Sequence, residues 1–406
     1  MQELDSIAEF DASHDHDFFT AVPARPAVFA VDPRAELAGA KTYLLRTANL
    51  RQRLTRLLGL PETGSKRLNL REFAARVRYR VAESPFELSF LHWQHARRMW
   101  PAEYRERVRL RPSAVLKVSL ANAYPRCYAT RRVSSNGFYF GPFASRRTAD
   151  AFASGFLDLF KIRRCQIKIR RDPSYPGCMY SEMKMCLAPC FAGCTKEEYD
   201  VELGRVVAFL STSGASLTAE LEREREAASE ALDFERAAAV HRRIEKAAEA
   251  LRGLPELARR LEDLNAVILQ RATEVNTIAV FVVRAGRIEE PRMLRFAELA
   301  SEPRSIEQIL REWLEPPIEQ GDASPLPNNS QRCRDLEDQL SLLSRWFYKK
   351  PHVGEIFFRE GTARFAAANP QDAASVRRNS EWPYRRILRA CSRLLAPSET
   401  DATDTH

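Results

Sequence analysis

The sequence predicts an α+β protein of several domains, and three features of the chain carry that prediction. Strand-like runs recur towards both ends of the 406 residues, and an alanine-rich charged segment near the middle has the apolar spacing of a helical hairpin. Five of the eight cysteines fall within thirty residues, between positions 165 and 194. A chain of this length can form two or three domains with a substantial buried core.

The composition favours an anionic partner. The 63 basic residues outnumber the 54 acidic ones and give a formal charge of +9. This excess suits a nucleic acid better than an acidic small substrate. No apolar run approaches the ~18 residues of a membrane span, and the acidic N-terminus is unlike a signal peptide. We therefore expect a soluble cytoplasmic protein with no membrane partner.

Three polar stretches are expected to lie outside the cores. Residues 1–20 are acidic and polar, and they predict a flexible lead. Residues 398–406 have the composition of a disordered tail. A stretch near 316–332 is rich in Pro, Asn and Ser and predicts a linker.

Residues 21–105 predict a small α/β domain that carries a basic helix. PAVFAVDP at 26–33 and the first residues of KTYLLRTANLRQRLTRLL at 41–58 have strand composition, and Asn49 is a suitable N-cap for the helix that follows. Arginines stand on and around this helix, at Arg46, Arg51, Arg53 and Arg56. They form either a solvated basic face or a set of contacts to DNA phosphates, and the residues alone leave both readings open.

The cysteines of residues 106–196 predict a metal site. Cys165, Cys178, Cys186 and Cys190 are separated by 12, 7 and 3 residues. Disulfides are a poor explanation in a chain too large to need them, and the many charged neighbours argue against reduced core thiols. Four thiolates without histidine suit either Zn²⁺ or an iron–sulfur cluster, and the spacing leaves these two open. Cys194 stays unassigned.

The same segment resembles the central part of bacterial UvrC, the nuclease subunit of nucleotide excision repair, and of its shorter Cho-like relatives. The resemblance rests on CMYSEMKMCLAPC, preceded by NGFYFGPFASRR and followed by EEYDVELGRVVAFLS. It implies that the four cysteines hold a [4Fe–4S] cluster, and that this segment bridges a nuclease domain to the cluster. Arg131 and Arg132 belong to a basic surround that either meets DNA phosphates or forms a solvated surface, and the residues alone leave both readings open.

Residues 21–105 in turn resemble the GIY-YIG nuclease domain that opens UvrC. Tyr43 matches the second tyrosine of that motif and Arg53 matches its helix arginine, so these two are the candidate catalytic residues. Phe29 stands where the first tyrosine belongs, and His92 stands where a glutamate should hold Mg²⁺ or Mn²⁺. Phenylalanine cannot move a proton, and Mg²⁺ prefers oxygen ligands. The domain is therefore expected to be degenerate, unless Glu83 or Glu87 supplies the missing carboxylate.

Residues 197–255 predict an antiparallel helix pair whose short length leaves apolar surface for a neighbour. ALDFERAAAVHRRIEKA resembles the UVR motif that UvrC and UvrB share, and through which the two associate. Its core is matched by Phe234, Glu235, Ala237 and Ala238. The resemblance implies a UvrB-type partner for this hairpin.

Residues 260–397 predict a small α/β module that resembles only part of the UvrC sequence beyond the UVR motif. Runs at 265–270 and 277–296 alternate as strands do, with a turn at Ala285 and Gly286. No acidic set for a second, RNase H-like nuclease stands out in the residues that follow. The function expected is DNA and partner binding in excision repair with weak or no incision. An active Cho-like GIY-YIG endonuclease and a zinc-containing interaction scaffold are the alternatives.

Overall fold

Three antiparallel sheets, each covered by helices, form the described part of the chain. The computed structural model describes residues 4–37, 39–61, 66–299, 301–315, 329–359 and 381–396. The strands are β1 Ser6–Glu9, β2 Ala27–Pro33, β3 Tyr43–Thr47, β4 Ala74–Val81, β5 Ala114–Val118, β6 Cys127–Thr130, β7 Phe138–Phe143, β8 Arg259–Arg260, β9 Ala266–Arg271, β10 Thr277–Arg284, β11 Arg287–Ile288, β12 Arg292–Arg295 and β13 Glu355–Phe358. The mixture of sheets and helices agrees with the prediction.

The helices alternate with these strands in the first half of the chain and dominate its middle. They are α1 Asp15–Ala21, α2 Leu50–Leu58, α3 Pro85–Met99, α4 Tyr104–Arg107, α5 Arg146–Leu157, α6 Met179–Glu182, α7 Lys196–Ser211, α8 Ala215–Glu230, α9 Phe234–Arg252, α10 Phe296–Leu299, α11 Ile306–Leu314, α12 Ser330–Tyr348 and α13 Tyr384–Leu395. Residues 12–14, 189–191 and 261–263 form single 3₁₀ turns.

The first sheet has the order β1-β4-β2-β3 and is covered on both faces. Strand β2 is buried along six of its seven residues, because successive side chains point to opposite faces and both faces meet a helix. Leu50 and Leu54 of α2 pack on the face that contains Phe29. Helix α3 packs on the other face through Phe86 and Phe90. As predicted, Asn49 caps α2, and its side chain accepts the N–H of Gln52 at 3.0 Å.

The flexible lead predicted for residues 1–20 is wrong over its described part. Strand β1 pairs with β4, and the segment continues into α1. Phe10 and Phe18 are buried beneath α2, and Arg71 donates to the Asp15 carboxylate at 2.7 Å. Two phenylalanines and a carboxylate with a cationic partner outweigh the acidic composition that suggested disorder.

The second sheet has the order β6-β5-β7-β8 and holds the aromatic strand at its centre. All six residues of β7 are buried. Helix α5 packs against this sheet through Phe152 and Phe156, and Phe156 stacks on Phe209 of α7 with ring centroids 5.5 Å apart. The helix begins at a capping box between Ser145 and Thr148. Aromatic packing thus joins sheet, α5 and α7 in one core.

Helices α8 and α9 form the predicted hairpin. The turn between them places Leu232 in the left-handed region, with φ at 57°. Few of the hairpin side chains are buried, and Leu221 and Val240 are among those that join the core of the second sheet. The far end of the hairpin, around the turn, stands free of that core.

The third sheet has the path β11-β10-β9-β13, and β12 also pairs with β10. Ala285 and Gly286 turn the chain between β10 and β11 with positive φ values of 47° and 77°, which confirms the predicted turn. Helices α11 and α13 cover one face. Helix α12 and helix α3 of the first unit cover the other, where Trp346 lies 5.6 Å from Phe86 between ring centroids.

Helix α12 ties the three sheets together through two buried carboxylates. Asp338 accepts hydrogen bonds from Tyr104 Oη at 2.5 Å, Arg105 Nε at 2.7 Å and Trp93 Nε1 at 3.2 Å. Glu337 accepts the N–H of Val133, beside the second sheet, at 2.9 Å. The linker predicted near 316–332 falls largely outside the described residues at 316–328, but residues 330–332 belong to α12. The predicted tail at 398–406 lies outside the described residues.

Candidate nucleic-acid groove and cysteine cavity

The four predicted cysteine ligands line one cavity of about 190 Å³. Its walls are completed by Ile167, Ile169, Tyr175 and Met179, and by the two arginines that precede the first cysteine. None of the eight cysteines, all within the described ranges, forms a disulfide. The chain therefore gathers Cys165, Cys178, Cys186 and Cys190 with free thiols, as a shared inorganic group requires. Cys194 is buried in the neighbouring core and does not line the cavity.

Local backbone turns bring the distant cysteines back to the cavity. The N–H of Asp172 donates to the carbonyl of Cys190 at 3.0 Å and so closes the loop between the first and last cysteines. Leu187 donates to the carbonyl of Lys161 at 2.9 Å. Ala188 and Ala192 adopt positive φ on either side of the 3₁₀ turn that presents Cys190. The spacing of the cysteines in the sequence does not predict these backbone contacts.

A buried arginine organises the start of the cysteine segment. Arg163 is only 6% exposed. Its guanidinium donates to the carbonyls of Tyr124 at 2.7 Å, Ile167 at 2.9 Å and Cys165 at 3.2 Å. The same group lies 3.8 Å from the Cys165 sulfur. Because a buried cation needs its donors satisfied, these bonds fix where the first cysteine lies.

Burial in the cavity raises the pKa of two of its thiols, Cys186 and Cys190. Burial raises the pKa of Cys186 to about 11, and the other three cysteines push it the same way. The N–H of Ala188 donates to the Cys186 sulfur at 3.3 Å and partly opposes this rise. Deprotonated sulfurs would therefore need a positive group among them, and binding of such a group would release protons.

The donor arrangement bears on which group fits. A single Zn²⁺ needs its sulfurs at about 2.3 Å from one point. Across the described residues, no three His, Cys, Asp or Glu side chains are set closely enough for one metal ion. A polynuclear iron–sulfur centre binds its sulfur ligands on separate iron atoms, so it does not need the four sulfurs to converge on one point. Cysteine thiolates can bind either Zn²⁺ or an iron–sulfur cluster, so the type of ligand atom does not distinguish the two.

A basic groove of about 680 Å³ lies beside the cysteine cavity, between the edge strand β6 and helix α5. Five arginines and two tyrosines line it: Arg126, Arg131, Arg132, Arg146, Arg164, Tyr128 and Tyr180. Asp150 is the one acidic residue of the lining. Arg164 and Tyr180 also line the cysteine cavity, so the two sites share a wall. The structure thus brings the predicted Arg131 and Arg132 into a larger cationic surface.

Most of this charge is available to a ligand. Arg131 and Arg132 are exposed at the groove. Arg126 stacks over the ring of Tyr128 at 4.2 Å. Arg146 pairs with Asp150 at 3.5 Å, and an exposed pair of this kind is weak. The Arg164 side chain is only 15% exposed and pairs with Asp158 at 2.7 Å. Arginines mixed with tyrosine rings suit a phosphate backbone with adjacent bases.

The structure does not bring the predicted catalytic residues together in one pocket. Tyr43 and His92 line one pocket of about 470 Å³, whereas Arg53 is not part of its lining. Phe29 is completely buried. Burial lowers the pKa of His92 to about 4, with help from Arg46 and His95. His92 is therefore neutral near pH 7 and offers no positive charge to a phosphate, and its ring nitrogens are poor ligands for Mg²⁺.

Neither possible replacement carboxylate reaches this pocket. Glu87 is 3% exposed and accepts the N–H of Glu83 at 2.7 Å, at the start of α3. Burial raises the pKa of Glu87 to about 7. Glu83 pairs with Arg25 at 2.6 Å. Both side chains thus serve the packing of the domain.

The other three arginines predicted to contact DNA phosphates differ in whether their side chains are free to bind a ligand. Arg51 donates to the carbonyls of Val22 at 2.9 Å and Thr20 at 3.1 Å, so it holds the N-terminal segment. Arg46 donates to Ser89 Oγ at 2.7 Å, and burial together with the charge of Arg345 lowers its pKa. Arg56 is exposed. These three do not line the groove that contains Arg131 and Arg132.

The hairpin presents an apolar tip to solvent. Leu232 and Phe234 are each 71% exposed. Glu235 and Ala238 are exposed beside them, and Ala237 is half-buried. Across the hairpin, Arg236 and Arg243 each lie 3.4 Å from Glu224. The residues matched to the UVR motif therefore lie on a surface that a partner could cover.

Comparison with known proteins agrees with these features. The family model described as the UvrC/Cho excinuclease middle domain matches residues 114–209, and the UvrB/uvrC motif matches residues 215–250. These two stretches contain the groove, the cysteine cavity and the hairpin. Over these two stretches the chain is similar to the UvrC family.

Curated UvrC proteins are similar over part of their length. The UvrABC system protein C of Ruminiclostridium cellulolyticum is 32% identical over 43% of this chain and 28% of its own length. That of Chlamydia pneumoniae is 26% identical over 66% and 47%, and that of Chlamydia caviae is 30% identical over 46% and 31%. The chain thus spans less than half the length of these relatives. No solved structure matches it, and none of the described helices could cross a membrane.

Sequence reasoning missed Arg163, Arg164, Tyr128 and Tyr180 as parts of this groove and cavity. The signal for the two arginines was their position immediately before Cys165. For the tyrosines no such signal exists, because Tyr128 stands on an edge strand and Tyr180 on a short helix about fifty residues later. Their meeting depends on the fold.

Replacing the buried arginine should loosen the cysteine segment. Arg163→Met leaves three carbonyls without a donor, and we expect it to lower the free energy of unfolding by about 3 kcal/mol. Bound metal and acid-labile sulfide should fall with it. Urea unfolding and elemental analysis of the purified protein measure both.

The adjacent Arg164→Met is the matched control for stability. Its guanidinium pairs with the exposed Asp158 and not with a set of buried carbonyls, so a smaller loss of stability than in Arg163→Met is expected. An Arg163→Met protein with the unfolding midpoint and metal content of the parent would contradict the positioning role.

Proposed function

We propose that this chain binds DNA and a UvrB-type protein in nucleotide excision repair and has little or no incision activity of its own. The observation that carries the proposal is the groove of five arginines that shares a wall with the cavity of four cysteines. Cationic grooves of this kind neutralise phosphates and release the counterions of the nucleic acid. The net charge of +9 also favours binding to a polyanion such as DNA.

The DNA part of the proposal makes a quantitative prediction. Arg131→Ala combined with Arg132→Ala removes two phosphate contacts, so the affinity for DNA should fall. The slope of log affinity against log salt concentration should become shallower by about 0.9 for each lost contact. Fluorescence anisotropy of a labelled duplex across a series of salt concentrations measures both quantities.

A charge-matched control separates this effect from net charge. Arg225→Ala with Arg242→Ala removes two exposed arginines of the hairpin and should leave the salt slope unchanged. Equal losses in the two double variants, or no loss in either, would overturn the groove as the DNA site.

We further propose that Cys165, Cys178, Cys186 and Cys190 hold a [4Fe–4S] cluster. Four cysteines without a histidine suit thiolate-bound iron, and all four line one cavity. When bound, the cluster supplies four covalent links that hold the segment. Arg163 and the N–H of Ala188 orient two of the sulfurs.

The partner part of the proposal rests on the exposed hairpin tip. Phe234 is a large aromatic side chain on the surface of a motif shared with UvrB, and such side chains dominate interface energies. Two hairpins of this kind could cover one another's apolar residues by packing helix against helix.

Truncating this aromatic should separate binding from folding. Phe234→Ala should weaken binding to a purified UvrB-type protein by at least about tenfold, which corresponds to 1.4 kcal/mol. The unfolding transition should be unchanged because the side chain is already exposed. Isothermal titration calorimetry measures the binding.

Val201→Ala is the control, since Val201 is 68% exposed on α7 outside the hairpin. It should bind the partner like the parent chain. Unaltered affinity in Phe234→Ala would rule out the hairpin tip as the contact.

The N-terminal unit is proposed to be a GIY-YIG-like domain that has lost incision. A fully buried phenylalanine at position 29 and a neutral histidine at position 92 leave Tyr43 without a second proton-carrying group and without an oxygen ligand for Mg²⁺ or Mn²⁺. Arg53 stands apart from the pocket that Tyr43 lines.

A nicking assay tests this loss directly. Supercoiled or bubble-containing DNA incubated with the chain and Mg²⁺ or Mn²⁺ should show no more cleavage than with the Arg53→Ala variant. Robust cleavage by the parent chain that disappears in Arg53→Ala would instead establish an active, Cho-like endonuclease.

A further inference from the structure

The surface around the cysteine cavity exposes an unusual amount of apolar side chain. Ile167, Tyr175, Met179 and Met183 all belong to one stretch of seventeen residues and are between 38% and 62% exposed. Ile167, Tyr175 and Met179 border the cavity, where they could shield a bound group. Met183 does not line the cavity, yet it is 61% exposed. Shielding alone therefore does not account for the surface.

Met179 and Met183 form a ridge on one face of a single helical turn. The N–H of Met183 donates to the carbonyl of Met179 at 3.0 Å, which places the two residues one turn apart. Residues four apart on a helix lie on the same side. We call these two residues the methionine ridge. Methionine is unbranched and polarisable, so it adapts to flat apolar partners.

The charge around the ridge points to a nucleic acid as its partner. Residues 161–184 contain seven basic and two acidic residues. Lys168, Arg170 and Lys184 are exposed near the ridge in sequence. An apolar protein surface would gain little from such a strongly positive border, whereas a strand of DNA offers phosphates and base faces together.

The ridge is continuous with the arginine groove. Tyr180 directly follows Met179 in α6, and its ring lines both the groove and the cavity. Arg164 lies over that ring at 5.9 Å and also lines both sites. A strand whose phosphates lie along the groove therefore passes within reach of Met179.

We propose that the methionine ridge packs against unstacked bases of a strand held in the groove, so that the chain prefers DNA with disrupted stacking over intact duplex. Apolar side chains, methionine included, are inserted between base steps by proteins that kink DNA. In an intact duplex the base faces are covered by their neighbours, and unstacking them costs free energy. Mismatched or unpaired bases present those faces already open. The inference rests on the proposed DNA binding and names the DNA form that this site selects.

The test compares two DNA probes at one salt concentration. One probe is a fully paired duplex, and the other has the same sequence on one strand with a short central bubble of mismatches. Met179→Ala combined with Met183→Ala should lower affinity for the bubble probe by about tenfold, the size expected from one lost base-stacking contact. Its affinity for the duplex should stay within about twofold of the parent chain, because the phosphate contacts remain.

Two further variants keep the result interpretable. Met179→Leu with Met183→Leu preserves the apolar ridge and should retain the preference for the bubble. Val201→Ala removes an equally exposed apolar side chain from α7 and should change neither affinity. Metal content is measured in every preparation, so that a lost cluster is not mistaken for a lost base contact.

The possible failures are distinguishable. Equal affinity of the parent chain for both probes, or an alanine double variant that keeps the full bubble preference at equal metal content, would overturn the role of the ridge. The groove proposal would survive either result. Loss of the groove proposal would instead appear as DNA binding that is insensitive to Arg131→Ala with Arg132→Ala on both probes.

Discussion

The buried guanidinium of Arg163 is the interaction on which the functional part of the molecule depends. It joins the loop before β6, through the carbonyl of Tyr124, to the backbone on both sides of the first cysteine. Because β6 forms one side of the groove and Cys165 one side of the cavity, a single side chain sets the distance between the two sites. Tyr199 supports the same corner, since its hydroxyl accepts the N–H of Arg163 at 3.0 Å and donates to the carbonyl of Pro125 at 2.6 Å.

The second constraint is the helix α12, which carries buried charge into the junction of the three sheets. Asp338 is inaccessible to solvent and holds three donors from α3 and α4. A buried carboxylate is tolerated only where its oxygens are satisfied, so this contact fixes how the N-terminal unit sits on the C-terminal one. The N-terminal unit therefore keeps its shape as a packed part of the whole.

Residue chemistry was a good guide where function depends on a few side chains of one type. The four cysteines, the pair Arg131 and Arg132 and the apolar tip at Phe234 all lie where such roles need them, around a cavity, along a groove and on a free surface. Composition misled at the N-terminus, because a few buried contacts such as Phe10 and Phe18 decide whether a polar segment is ordered. Arg51 was misleading for a related reason, since an arginine suited to phosphate can equally satisfy backbone carbonyls.

By itself the sequence determined which chemistry is present: thiols without histidine partners, an excess of arginine, a helical hairpin with an apolar turn, and strands with their turn at Gly286. Only the tertiary structure decided which of these groups meet. The groove in which strand β6 meets Arg164 and Tyr180, and the packing of Phe86 on Trp346, depend on contacts between segments far apart in the chain. Such contacts follow from the packing of whole sheets and helices, and no local pattern of residues encodes them.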